Sequence, residues 1–164
     1  MSEASGEARI QRLQASVEGL LQTIQQLPSE VLYRAPQAGE WPVMSTLAHV
    51  GEMLPYWAHQ AALIAEQPGR PFGRQHDDPG RLGAIEQHGQ ASLEAAAGRI
   101  RAGLEECVRT LRGLPPEAWS ATGSHPRRGS MSVGEVVDAF LVAHAEEHAA
   151  QVQATLQALG AARA

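Results

Sequence analysis

The sequence predicts an all-α protein, an up-down antiparallel four-helix bundle. Apolar residues recur at steps of three and four in four separate segments. No segment shows the alternation of Val, Ile or Thr that a half-buried strand requires. The connections between the periodic segments are dense in Gly and Pro, which punctuate helices. With 164 residues, the chain reads as a single domain spanning residues 1–164.

The first helix is predicted over residues 7–27, where Ile10, Leu13, Val17, Leu20, Ile24 and Leu27 form one stripe. It should stop at Leu27, because Pro28 disfavours helical geometry in the residue before it. The second, over 43–66, carries Leu47, Val50, Leu54, Trp57, Ala61 and Ile64. Pro42 suits its first turn, whereas Pro55 falls inside and should kink it. The third, over 82–113, carries Leu93, Ala97, Ile100, Leu104, Cys107, Leu111 and Leu114. The fourth, over 133–159, opens on Ser132-Val133-Gly134-Glu135, the pattern of a capping box. Its stripe runs through Val133, Val137, Phe140 or Leu141, His144, His148, Val152, Leu156 and Leu159. Residues 67–80 and 115–131 read as loops, with Trp41 and Trp119 plugging the core at loop–helix junctions.

Composition removes several function classes. Eighteen acidic residues against 13 basic ones give a formal charge of −5, and every base is Arg. Such a chain is poorly suited to nonspecific nucleic-acid or anionic-membrane binding. Without Lys, Schiff-base chemistry and a P-loop are excluded. The one Cys, Cys107, excludes an internal disulfide framework and a zinc ribbon, and it sits in an apolar stripe as a small hydrophobe. The polar, acidic N-terminus lacks a signal-peptide pattern, and no apolar run approaches the roughly 18 residues of a membrane span. A cytoplasmic location is the expectation.

Seven His are then the conspicuous chemistry. His144 and His148 lie four apart, so their rings project from one helix face about one turn apart. They occupy interior positions of the fourth stripe, where two imidazoles can take two sites of one zinc, nickel or iron(II) ion. The same pair can instead be satisfied by carboxylates, Glu146 and Glu147 being adjacent. His49, early in the second helix beside Leu47 and Val50, can supply a third imidazole from a facing helix. Three protein ligands and one open position describe a catalytic rather than a structural site. His59 falls off the His49 face, His76 and His125 fall in loops where they should be solvated, and His88 falls on a polar, exposed stretch.

The run Glu40-Trp41-Pro42-Val43-Met44-Ser45-Thr46-Leu47-Ala48-His49-Val50 resembles the signature of the DinB/YfiT-like metalloenzymes. So do Ser132-Val133-Gly134-Glu135 and the later His144-x-x-x-His148 with Gln151. The resemblance runs from the first helix to about Leu159, with the first His and the pair separated by 144 − 49 = 95 positions. It implies a four-helix bundle with a divalent metal, commonly nickel or zinc, on His49, His144 and His148. It also implies a homodimer, and related branches depend on low-molecular-weight thiols. Pro42 stands where the family often has Ser or Thr.

Around these His, Glu52 is placed to orient a ligand or serve as a base, or lies on the surface. Tyr56 nearly eclipses His49 two turns on, and Gln151 eclipses His144 in the same way. Arg70, Arg74, Arg127 and Arg128 in the long loops are candidates to hold a cofactor's carboxylates. The leading expectation is a metal-dependent hydrolase or thiol S-transferase acting on a small molecule. The alternative is a noncatalytic, metal-binding or ligand-sensing dimeric bundle.

Overall fold

A computed structural model describes residues 3–161. Helix α1 (Glu3–Ile24) buries the stripe Ile10, Leu13, Val17, Leu20 and Ile24 and ends one turn before Pro28. A single turn, α2 (Ser29–Leu32), leads to α3 (Val43–Glu66), which runs on through Pro55. The predicted third helix is two helices in the structure. Short α4 (Pro79–His88) is capped by Asp78, whose carboxylate accepts from the Arg81 amide at 2.9 Å. It closes at Gly89, and α5 (Leu93–Arg112) begins afresh with Ser92 accepting from the Ala95 amide. The last helix starts as α6 (Val133–Val136) on the predicted capping box. It widens into a π turn (Val137–Val142) and continues as α7 (Ala143–Ala158).

Within the described residues, α1 and α3 each pack against both α5 and the last helix, forming the four-helix bundle. Glu7 at the start of α1 pairs with Arg112 at the end of α5 at 2.7 Å, so these two run antiparallel. Arg9–Asp138 and Arg12–Glu146, both 2.7 Å, show α1 and the last helix running together. Trp57 stacks on Phe140 while His49 lies against His148, so α3 opposes the last helix. The start of α3 meets the residues before α5 (Ser45 by Gly89), and its end meets those after it (Ile64 by Gly123). The directions are therefore up, down, down, up rather than the strict alternation expected, because the 67–92 connection carrying α4 is long enough to return the chain between α3 and α5. Gly103 lets these two helices approach closely: a Cβ there would lie 3.0 Å from the Gly51 carbonyl and 3.2 Å from Pro55 Cδ. Pro55 has no N–H for that carbonyl, so a small neighbour at this point matters twice.

One short sheet is present where none is predicted. Strands β1 (Thr122–His125) and β2 (Gly129–Ser132) form an antiparallel hairpin whose turn uses Gly129 at φ +72°. The loop after α3 lies along β1: the Phe72 amide donates to the Ser124 carbonyl at 3.0 Å, and the Ser124 amide to Arg70 at 2.9 Å. Trp119 is buried as expected, and Cys107 is fully buried on α5. No described helix is long and apolar enough to cross a membrane.

Candidate metal centre

His49, His144 and His148 meet between α3 and α7, with one nitrogen of each ring inside a 4.8 Å span. The periodicity explains the meeting. His49 sits on the face of α3 that Leu47, Val50 and Leu54 bury, and His144 and His148 sit on the facing stripe of α7. His49 is 1% exposed and His148 9%, while His144 is half-buried.

The outer ring nitrogens of His144 and His148 are held by the protein. His148 Nδ1 lies 2.8 Å from Gln151 Oε1, which can only accept, so Nδ1 carries the proton and Nε2 presents a lone pair. The Phe140 carbonyl accepts from the His144 ring. His49 Nδ1 lies 3.3 Å from Glu52 Oε1, near enough to attract but off the alignment of a good hydrogen bond. Inside the cluster, His49 Nε2 and His144 Nε2 face each other at 3.4 Å, and His148 Nε2 is buried with no partner. A buried lone pair with no donor, as at His148 Nε2, is costly. A cation relieves that cost, and metal–nitrogen bonds of about 2.0–2.1 Å place tetrahedral ligand atoms about 3.3 Å apart. The donor set thus fits a borderline divalent metal.

The electrostatics favour neutral imidazoles. Burial, then the neighbouring His148 and His49, pushes His144 down to about 3. Burial, then His49, pushes His148 to about 4, despite the Gln151 hydrogen bond. Burial lowers His49 as well, against the pull of Glu52. For Glu52 burial acts upward, but His49 and Arg74 overcome it and hold the carboxyl below its usual range.

Of the sequence-predicted residues, Glu52 and Gln151 each contact the far nitrogen of a clustered imidazole. Tyr56 does not reach the cluster. Its half-buried ring lies 3.8 Å from the Arg74 guanidinium, which is itself bonded to Glu52 and lies 3.6 Å from Asp78. Arg70 turns away to Gln67 and Pro71, whereas Arg74, Arg127 and Arg128 line a cavity beside the cluster. Trp41 is not a core plug. It is half-buried, its ring centroid 5.8 Å from that of His49 in a T-shaped contact, with Arg81 over its ring. His59 and His76 are exposed as expected, and His88 is half-buried rather than exposed.

His125 is the larger surprise. Expected in solvent, it is 6% exposed in β1, packed between Phe72 and Phe140. It and Arg81 are the site residues that sequence reasoning missed. Asp78-Pro79, a cap followed by Pro at the first helical position, was the available signal for α4 and hence for Arg81. The Pro126-Arg127-Arg128-Gly129 run was the signal for a turn beside His125.

Two cavities flank the imidazoles. One of about 340 Å³ is lined by His49, His144, His125, Phe140 and four Arg. The other, about 570 Å³, exposes His148, Gln151, Trp41 and Thr155, and Arg81 borders both.

Fold and site together define a helical bundle carrying a buried three-imidazole cluster open to a cavity. Residues 12–152 match the DinB superfamily, and the chain belongs to it. No curated protein matches the sequence. Among solved structures it is similar to YfiT from Bacillus subtilis, described as "a probable metal-dependent hydrolase with an unusual four-helix bundle topology". That likeness has a TM-score of 0.80 at 16% identity, covering 98% of this chain and 90% of that one. It is similar to TT2238, a four-helix bundle protein, at TM-score 0.62 and 19% identity over 96% and 99%. It also resembles the mycothiol-dependent maleylpyruvate isomerase at TM-score 0.65 and 13% identity, covering 94% of this chain and 59% of that one. At these identities the likenesses establish the fold.

Proposed function

We propose that the protein is a metal-dependent enzyme acting on a small molecule, with His49, His144 and His148 holding one divalent cation. The observation that carries this reading is the convergence of three neutral imidazoles within 4.8 Å at the wall of the two cavities, with His148 Nε2 buried and without a partner. When bound, a zinc, nickel or iron(II) ion supplies Lewis acidity able to ionise a water or a low-molecular-weight thiol. The chain's own residues prepare the site. Gln151 fixes the His148 tautomer, and the Phe140 carbonyl orients His144. Glu52, held as a carboxylate by Arg74, steadies His49 from behind and does not line the cavity. It acts as a positioning residue. Hydrolysis and thiol transfer are both served by such a site. The descriptions of YfiT and of the mycothiol-dependent isomerase support one chemistry each.

The test is a turnover screen of chelator-stripped protein reloaded singly with zinc, nickel or iron(II), against esters, amides and alkylating electrophiles. Each electrophile is offered with and without a low-molecular-weight thiol. Turnover that requires the metal and falls at least about 100-fold in His144→Ala is expected. Turnover that survives stripping, or is unchanged in His144→Ala, overturns the proposal.

A further inference from the structure

We propose that the cavity beside His49 and His144 is an oxyanion-binding subsite, which takes the carboxylate or phosphate group of a small substrate. This deepens the metal-enzyme reading and depends on it for its place in catalysis. The binding itself does not.

The charge distribution comes first. In a chain of net charge −5, this one cavity of about 340 Å³ gathers Arg74, Arg81, Arg127 and Arg128. Arg74 is internally neutralised by Glu52. The other three guanidinia form no ion pair among the described residues, although Glu52 and Asp78 attract Arg81 from a longer distance, and the one acidic side chain in the wall, Glu147, is exposed. Arg81 is held in place rather than free to wave: it donates to the His76 carbonyl at 2.8 Å and lies over Trp41 at 5.4 Å. Arg128 lies 4.9 Å from the Phe140 ring. Guanidinium forks match planar oxyanions, and their hydrogen bonds to such groups are among the stronger ones.

His125 is the second, independent observation. Its Nδ1 accepts from the backbone amides of Arg127 and Arg128, both at 3.2 Å, so the ring proton sits on Nε2. That Nε2–H is a buried donor with no partner, in a ring that lines the cavity. Buried donors are rarely left unpaired, and an anion's oxygen supplies what is missing. The same two hydrogen bonds tie the hairpin turn to His125 and so place Arg127 and Arg128 at the cavity rim. Below them Phe140 stacks on Trp57 at 4.1 Å and on His125 at 5.0 Å, giving a flat apolar wall. The occupant with matching chemistry is small, anionic at one end and apolar or planar beside it.

Calorimetric titration of the metal-stripped protein with inorganic phosphate and, separately, with benzoate tests the proposal and tells the two oxyanions apart. Binding of at least one of them at one site per chain is expected. Arg128→Gln should weaken it at least about fivefold, and Arg81→Gln by about tenfold. His125→Phe, which keeps a planar ring without the donor, should weaken it about fivefold. Arg109→Gln, on α5 outside the cavity, should leave it unchanged. Arg128 is exposed in the turn, so its replacement leaves the fold intact. Neither anion binding better to wild type than to the Arg81→Gln/Arg128→Gln double variant overturns the subsite. So does binding that appears only with metal loaded and ignores the Arg replacements. Metal content of the same proteins after reloading keeps the two readings apart: normal loading with no anion binding sinks the subsite alone.

Discussion

Acidifying the metal-free protein should weaken it through the clustered imidazoles. His144 and His148 have folded values of about 3 and about 4, below the ordinary 6.5 of an unfolded chain. A lowered folded value means that the unfolded state binds protons first as pH falls. The stability is therefore complete above about pH 6.5 and is lost progressively down towards the folded values. At about pH 5 the unfolded imidazole is protonated and the folded one is not. The gap of about 1.5 pH units at about 1.36 kcal/mol each costs about 2 kcal/mol per imidazole. His144 and His148 together account for about 4 kcal/mol between about pH 7.5 and about pH 5, and His49 acts in the same direction. Urea unfolding in the presence of a chelator, at a series of pH values, measures this loss. His144→Leu should lose about 2 kcal/mol of the pH dependence, since the remaining His and carboxylates titrate in both proteins. A wild type that loses less than about 1 kcal/mol over this range refutes the reasoning, as does a His144→Leu variant with the wild-type slope.

Other consequences concern single contacts. Gln151→Leu removes the acceptor on His148 Nδ1 and should lower divalent-metal affinity by about 10–100-fold with the helical circular dichroism retained; equilibrium dialysis reads it. Gly73 sits at φ +90°, and a Cβ there would lie 2.7 Å from His125 Cδ2. Gly73→Ala should therefore cost about 1–3 kcal/mol in urea unfolding, and a neutral result would show that the loop yields freely. Burial pushes the Cys107 thiol up to about 12, so a thiol-reactive dye should label it only in denaturant. Rapid labelling of the native protein would mean that α5 opens readily.

The bundle and the imidazole cluster were legible because both depend on helical period alone. His49, His144 and His148 each replace an apolar residue in a stripe, and a stripe tells which face meets the opposing helix. Even the ambiguity at Phe140 or Leu141 had a physical source. The π turn over Val137–Val142 shifts the helical phase there, so Leu141 is buried and Phe140 also turns inward to the cavity.

What escaped is held by long-range contacts that no local pattern encodes. The hairpin Thr122–His125 and Gly129–Ser132 has no β-branched alternation; pairing with the loop after α3 and the close seat of Gly123 on Ile64 and Phe72 define it. His125 is buried because that hairpin folds over Trp57 and Phe140, and a loop position gives no hint of such a lid. The run from 82 to 113 read as one helix because the stripe starting at Leu93 dominates it, while Gly89 and the Ser92 cap divide it. Arg74, by sequence a loop candidate to hold a cofactor's carboxylates, is drawn under cover by Glu52 and the face of Tyr56.

The metal stoichiometry of purified protein, measured by plasma mass spectrometry after loading and dialysis, bears most directly on the three-imidazole centre. One divalent cation per chain is expected in the wild type, with less than about a tenth of that retained in His49→Ala and in His144→Ala. A wild type that retains no metal, or variants that retain it with undiminished affinity, would contradict the assignment.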